Sequence, residues 1–284
     1  KARGMPLVDR RIYTGSNADM TLAYFHASQL LERPALKERA IHVLKQIVHE
    51  RFDLEKGLAH GTVHDSLKLH GILSDHIRLG VALLEAFRET EDLEFLEKTE
   101  ALANNTQVLL EDVKGGGFYD RPRSTDGFGL LKIPTKPARE NIQAIRFYLD
   151  LYHLTKKDAY RLTAERALKS VVNTPQPLPI ALIGLAVDEW FRPPVHIAII
   201  GKPDDRETKV LLRRARRLYC PGKMLKVFDP QQGPMKWGEI TFPYNGTSSA
   251  FFCTDKMCLP PVTQAEEMHE RLNELLQDLR ESII

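Results

Sequence analysis

Apolar positions recur along most of this chain at the three- and four-residue intervals of an amphipathic helix. Met20, Ala23, Tyr24, Ala27, Leu30 and Leu31 predict a first helix over 17–31. Leu36, Ala40, Val43, Leu44 and Ile47 predict a second over 36–52, with Pro34 permitting a sharp turn between the two. Ile77, Val81, Leu84 and Phe87 face inward on a third helix over 74–88, and a short polar turn leads to a fourth over 93–113. A third pair falls at 140–154 and 157–172 around Thr155-Lys156-Lys157. A further helix at 179–191 starts on Pro179, a residue well placed in a first turn. Ser16 or Asn17, and Ser74 or Asp75, can cap the helices they open.

The three pairs form an internal repeat. A polar residue opens each first helix (Asn17, Asp75, Asn141), and a large apolar residue stands near the start of each second one (Leu36, Phe95, Tyr160), at separations of 19, 20 and 19. Four residues further on stands a small residue each time: Ala40, Thr99 and Ala164. Short turns alternate with long loops, so the long loops share one end. This pattern predicts a mainly α fold, an (α/α) helical-hairpin toroid over 1–192, in which inner helices begin at the long-loop end. Phe147, Tyr148, Leu149, Leu151 and Tyr152 suit an inner helix packed on several sides. Three hairpins and a fourth inner helix at 179–191 fall short of the six that close such a toroid, so a fragment or truncated member is expected.

Beyond Arg192-Pro193-Pro194 the period changes. VHIAII at 195–200 reads as a buried strand, followed by a helix over 206–218 and a strand over 224–228. Strands around a turn at Asn245-Gly246 and a terminal helix over 263–282 complete a small α/β subdomain at 193–284. Gly201-Lys202-Pro203 has too few glycines for a dinucleotide fingerprint.

Composition is that of an ordinary globular protein, 43% hydrophobic and 27% charged. A formal net charge of +2 implies no large basic face for nucleic acid, and the basic run at 213–217 reads as a solvated helix face. No stretch is apolar and long enough to span a bilayer, and three cysteines are too few for a disulfide scaffold, which makes a reducing cytoplasm the expected location.

Chemistry concentrates at 57–76, which holds His60, His64, His70, His76, Asp65 and Asp75 and reads as a loop. Asp75, with Asn17 and Asn141, serves either as a helix cap or as part of a ring of polar groups around the long-loop mouth. As an acid or base, Asp75 could pair with Asp65, Asp120 or Glu140, and no pair stands at a diagnostic spacing. His60 and His64 are four apart, but Gly61-Thr62-Val63 does not read as helix, so no metal site is expected. Phe118, Tyr119 and Phe128 in the second long loop suit either sugar stacking or a small core of the loop itself. Cys253 and Cys258 could form a disulfide, bind a metal with a third ligand, or remain buried thiols.

Three stretches, VDRRIYTGSNADM (8–20), GGGFYD (115–120) and AFFCTDKMCLPPVTQAEEM (250–268), together with the helical repeats, resemble the C-terminal part of the YyaL-like, spermatogenesis-associated protein 20-like family of thioredoxin-domain-containing proteins. The resemblance implies a region akin to six-hairpin glycosidases and N-acylglucosamine 2-epimerases, with a thioredoxin-like domain elsewhere in the family that this chain lacks. Epimerases of that fold use histidines as acid and base, which brings in His60 beside Asp75. Asn17, Asn141, Glu140, Tyr119 and Asp120 become candidate sugar contacts, although Ser16 stands where the family usually has tryptophan. No cofactor is implied. The leading expectation is a carbohydrate-active or sugar-binding toroid with glycosidase- or epimerase-like acid–base chemistry at the long-loop mouth. The other is a non-catalytic redox or interaction module partnered with a thioredoxin-like domain, with Cys253 and Cys258 as its redox pair.

Overall fold

The computed structural model describes residues 8–9, 11–63, 66–123, 129–173, 179–220, 222–255 and 257–281. His64, Asp65 and Phe128 therefore lie outside the described residues. The chain packs as two compact units: 1–28, 33–151 and 157–179 form one, and 29–32, 152–156 and 180–284 the other.

The first unit takes all of α2 (Pro34–Arg51), α3 (Leu73–Thr90), α4 (Leu93–Leu110) and α6 (Asp158–Val172) and most of α1 (Thr14–Leu31) and α5 (Ala138–Thr155), which follow one another as consecutive hairpins. Each hairpin turns through a non-glycine residue in the left-handed region: Glu32 at φ 55°, Glu91 at 56° and Lys156 at 58°. In two of them the backbone amide of that residue closes the helix by donating to the fourth carbonyl back, Glu91 to Phe87 and Lys156 to Tyr152, both at 2.7 Å. The repeat thus extends to backbone geometry.

α3 and α5 are buried on several sides, as inner helices are. α3 buries Leu73, Ile77, Gly80 and Leu84 along one side and Leu79, Ala82, Leu83 and Ala86 along another, and α5 is buried comparably. α2, α4 and α6 each bury one stripe, with Ala40, Thr99 and Ala164 all inside it. The predicted stripe of α1 is the exception. Met20, Leu30 and Leu31 are more than half exposed, and the buried face is Thr14, Ala18, Thr21, Phe25 and Ser28 at alternating spacings of four and three. Small side chains there let the helix pack closely, and their hydroxyls find carbonyls: Thr21 donates to Ala18 at 2.8 Å and Ser28 to Arg33 at 2.9 Å.

The stretch expected as a His-rich loop is instead largely sheet. β1 (Phe52–Asp53), β2 (Gly57–Val63) and β3 (Ser66–His70) pair antiparallel in that order. The sequence lacks the alternation of a half-buried strand, because Leu58, Ala59 and Gly61 are all buried. The strand is fixed by tertiary pairing: Tyr13 bridges Gly61, and Leu58 pairs Phe52. In the second long loop, Glu111 bridges Phe118 in the corresponding way.

The second unit holds α7 (Ile180–Phe191), β4 (His196–Ile200), α8 (Arg206–Arg217), β5 (Met224–Phe228), β6 (Lys236–Trp237), β7 (Ile240–Thr241), β8 (Ser249–Cys253) and α9 (Met268–Glu281). β4 lies between parallel β5 and antiparallel β8, and every residue of β4 and β8 is buried. The turn expected at Asn245-Gly246 is preceded by a tighter one joining β6 to β7. α7 forms where a fourth inner helix was expected, but Ala186 is its one buried residue and Ile180 is 82% exposed. Among the described residues no helix is long and apolar enough to cross a membrane.

Candidate functional site

β2 and the first turns of α1 and α3 bring three groups together. The Oδ2 of Asp75 lies 2.7 Å from Nδ1 of His60. Its Oδ1 accepts the backbone N–H of Gly15 at 3.2 Å, an amide that the first turn of α1 leaves without an intrahelical partner. Asp75 therefore caps a neighbouring helix and not its own, since the N-cap of α3 is Ile72 with no side-chain cap. Gly15 is required for this approach: a Cβ there would stand 2.5 Å from Oδ1. Thr14 donates to the Ala59 carbonyl at 2.5 Å, and Arg51 reaches both the Ile12 carbonyl and the Thr14 hydroxyl, fixing β2 against α1.

Burial divides the pair into two roles. The Asp75 side chain is 3% exposed and the His60 side chain 33%. Burial raises the Asp75 carboxyl above its ordinary range, opposed by the His60 hydrogen bond and charge, the Gly15 amide and the Arg78 charge. With Asp75 accepting from Nδ1–H, the other nitrogen, Nε2, is left to take or give a proton. The ring of Tyr13 lies 5.2 Å from the imidazole, centroid to centroid.

His76, one residue on, is wholly buried and differently used. Its Nε2 accepts the Leu58 N–H at 2.9 Å, so Nδ1 carries the proton and donates to Thr106 at 2.9 Å; Thr106 donates in turn to the Leu102 carbonyl at 2.7 Å. Burial holds its pKa down to about 3. Asn141 does the same for the second long loop, accepting from Phe118 N–H at 2.7 Å and donating to the carbonyls of Phe118 and Pro137, both at 2.9 Å. Asn17 donates to the carbonyl four back, Tyr13, at 2.7 Å. Counted from the observed helix starts, Asn17, His76 and Asn141 each stand fourth, and Asp75 and Glu140 third. The expected equivalence of Asp75 with the two asparagines is thus displaced by one residue. Both amide hydrogens of Asn141 are taken by backbone.

The remaining candidates serve the second loop. The Tyr119 hydroxyl donates to Asp112 at 2.9 Å, and Arg123 lies 4.4 Å over its ring. Lys136 at 2.7 Å and the Gly115 amide hold the Asp112 carboxyl well below its usual range. Asp120 accepts from Thr135 N–H at 2.9 Å and from Arg121, while its carbonyl accepts from Leu73 N–H at the start of α3. Phe118 is fully buried and stacks on Tyr148, interplanar angle 2°, so it belongs to the core. Glu140 is half-buried. A cavity of about 470 Å³ is lined by Lys114, Gly116, Lys136, Asn141, Arg166 and Ser170. Tyr13, Gly15 and Arg51 were not read as site residues; the only sequence signal for the first two is their place in 8–20.

In the second unit Cys253 and Cys258 form a disulfide. Of the alternatives open from the sequence, this is the one the structure adopts.

No family model matches the chain. Spermatogenesis-associated protein 20 from human and from rat are each 22% identical over 96% of it, and the chain spans 37% of the length of either relative. Among solved structures, cellobiose 2-epimerase from Bacillus thermoamylovorans aligns with a TM-score of 0.53 at 12% identity, covering 73% of this chain and 61% of that one. A family 76 α-mannanase from Bacteroides thetaiotaomicron aligns at 0.51 and 17% identity, covering 65% and 52%. The fold is the (α/α) toroid of these glycosidases and epimerases, with small sheets added.

Proposed function

We propose that the helical unit binds a sugar and carries out acid–base chemistry on it, with His60 transferring the proton and Asp75 holding the imidazole in place. The observation that carries this reading is the 2.7 Å pair itself, a buried carboxylate behind a partly exposed imidazole. The carboxylate fixes the tautomer and stabilises the imidazolium that forms when Nε2 accepts a proton, as in other carboxylate–histidine pairs. The toroid fold it shares with a cellobiose 2-epimerase and a mannanase supports a sugar as substrate class.

Proton abstraction suits this geometry better than hydrolysis by paired carboxyls. Asp75 sits behind His60, and Asp120 is held by Arg121 and the Thr135 amide. In an open-chain aldose the C2 hydrogen is acidified by the adjacent carbonyl. His60 would remove it and give an enediolate; return of the proton from the His60 imidazolium restores the aldose, and protonation of C2 by solvent on the other face yields the epimer.

The test is solvent exchange. The protein is incubated with a panel of aldoses and reducing disaccharides in D2O, and the C2–H resonance is followed by NMR. We expect exchange with at least one sugar, lowered about 100-fold or more by His60→Gln, the scale of a lost general base. A His60→Gln variant exchanging at the full rate, or no exchange and no thermal shift with any sugar, overturns the proposal.

A further inference from the structure

The sheet of the second unit places three side chains in a row. His196 on β4 stands directly opposite Cys253 on β8, and Cys253 stands opposite Cys258 on the segment flanking the other edge of β8. Directly opposed residues of antiparallel neighbours project to the same face. The surroundings agree: Trp237 meets the His196 ring edge-on at 4.7 Å and packs against the apolar cluster that contains Cys253.

The imidazole is oriented from one side only. Nε2 of His196 is 3.1 Å from Oδ1 of Asp255, which lies in the turn that the disulfide closes, and Oδ2 of Asp255 accepts from Lys156. Nδ1 of His196 is buried with no hydrogen-bond partner. A buried polar nitrogen left unpaired is costly and calls for an explanation. The two sulfurs are also unequal: Cys253 is wholly buried, whereas Cys258 is exposed.

We propose that Cys253–Cys258 is a thiol–disulfide exchange site for a dithiol reductant, in which Cys258 is the sulfur attacked and His196 exchanges the proton of the Cys253 thiol. One thiol of the reductant loses its proton to solvent, and the thiolate attacks Sγ of Cys258 in line with the S–S bond. The bond to Cys253 breaks, and its sulfur leaves with the electron pair. Left as a thiolate among aromatic side chains it would be strongly disfavoured. It takes a proton from Nδ1 of the His196 imidazolium, whose charge Asp255 balances, and the imidazole regains a proton from solvent. The second thiol of the reductant then attacks the mixed disulfide at the reductant's own sulfur. Cys258 leaves and is protonated. Two electrons and two protons pass from the dithiol to the protein, and the reductant becomes a disulfide. Oxidation runs the same steps backwards, with Nδ1 accepting the Cys253 proton.

The test uses the whole chain, oxidised, with dithiothreitol as the dithiol under native conditions. Thiols are trapped by alkylation and counted by mass spectrometry, and tryptophan fluorescence (Trp190 and Trp237) and far-UV dichroism are followed together. We expect two thiols to appear reversibly with the dichroism unchanged and the buried Cys220 unlabelled. His196→Gln should slow the opening about tenfold or more at unchanged melting temperature, and Asp255→Asn should slow it less. The proposal is overturned if the disulfide opens only as the fold is lost, which the wild-type chain alone can show, or if His196→Gln and Asp255→Asn both react as fast as wild type.

Discussion

His76 is held neutral by its place in the fold. Its Nε2 is occupied by the Leu58 amide, and its pKa is down at about 3 from an ordinary 6.5. Depression in the folded state means that the unfolded chain binds the proton first. The stability this contributes is present above pH 6.5 and is lost as pH falls towards 3. Between pH 7 and pH 4.5 the loss should be about 2–3 kcal/mol, at about 1.4 kcal/mol for each unit. His76→Asn puts at this position the residue that serves at Asn141, with no group to titrate. Denaturant unfolding at the two pH values should show the variant losing less stability on acidification than wild type by about that amount. An unchanged slope would show that His76 does not drive the acid transition. The sequence pointed to this turn of the helix but to the neighbouring side chain. The spacing of polar residues located the start of each inner helix to within a few positions, whereas the choice between Asp75 and His76 depends on the start at Leu73 and on which side chain meets Leu58, a pairing far apart in sequence. The His60–Asp75 contact spans fifteen residues through a sheet that no alternation announced, so its members were legible and their geometry was not.

Among the elements, the inner helices show how packing overrides propensity. Gly80 lies in the interior of α3, where alanine would ordinarily stabilise a helix by about 1 kcal/mol. A Cβ at this position would come within 2.6 Å of Cε2 of Phe147 on α5. That ring is 1% exposed and meets Tyr148 edge-on, so it has little room to yield. Overpacking of this kind costs about 1–3 kcal/mol. Gly80→Ala should therefore lower stability, by up to about 2 kcal/mol. Gly184 in α7 has no atom within 4 Å of where its Cβ would stand, and Gly184→Ala should raise stability by up to about 1 kcal/mol. Opposite signs in thermal melts check both; equal signs would reject the packing argument. Helix existence was readable throughout because the 3.6-residue period is local. Face was not always readable: α1 buries small and hydroxyl side chains and exposes Met20 and Leu30, since a close helix contact selects for size before hydrophobicity. α7 reads as strongly apolar and is mostly unburied, because burial depends on what lies beside it and not on its own composition.

At the scale of the molecule, two candidate chemistries occupy two separately packed units: the His60–Asp75 pair in the helical unit, and the His196–Asp255 pair beside the Cys253–Cys258 disulfide in the other. Each pair is a carboxylate holding one imidazole nitrogen, yet they share no residue. If each unit supplies its own electrostatics and its own core, the two should fail independently. Effects of substitutions that share no partner are expected to add, so the double variant measures their coupling directly. His60→Gln should lower deuterium exchange at sugar C2 about 100-fold or more and leave the rate of disulfide opening by dithiothreitol within about twofold of wild type. His196→Gln should do the reverse, and the two together should show the product of the single effects. Sugar exchange measured before and after reduction of the native disulfide adds a second axis. Independence predicts the same rate in both states. A rate that changes severalfold on reduction, while the His60→Gln and His196→Gln effects on their own reactions persist, would reject independence and show that the redox state of the second unit governs proton transfer in the first.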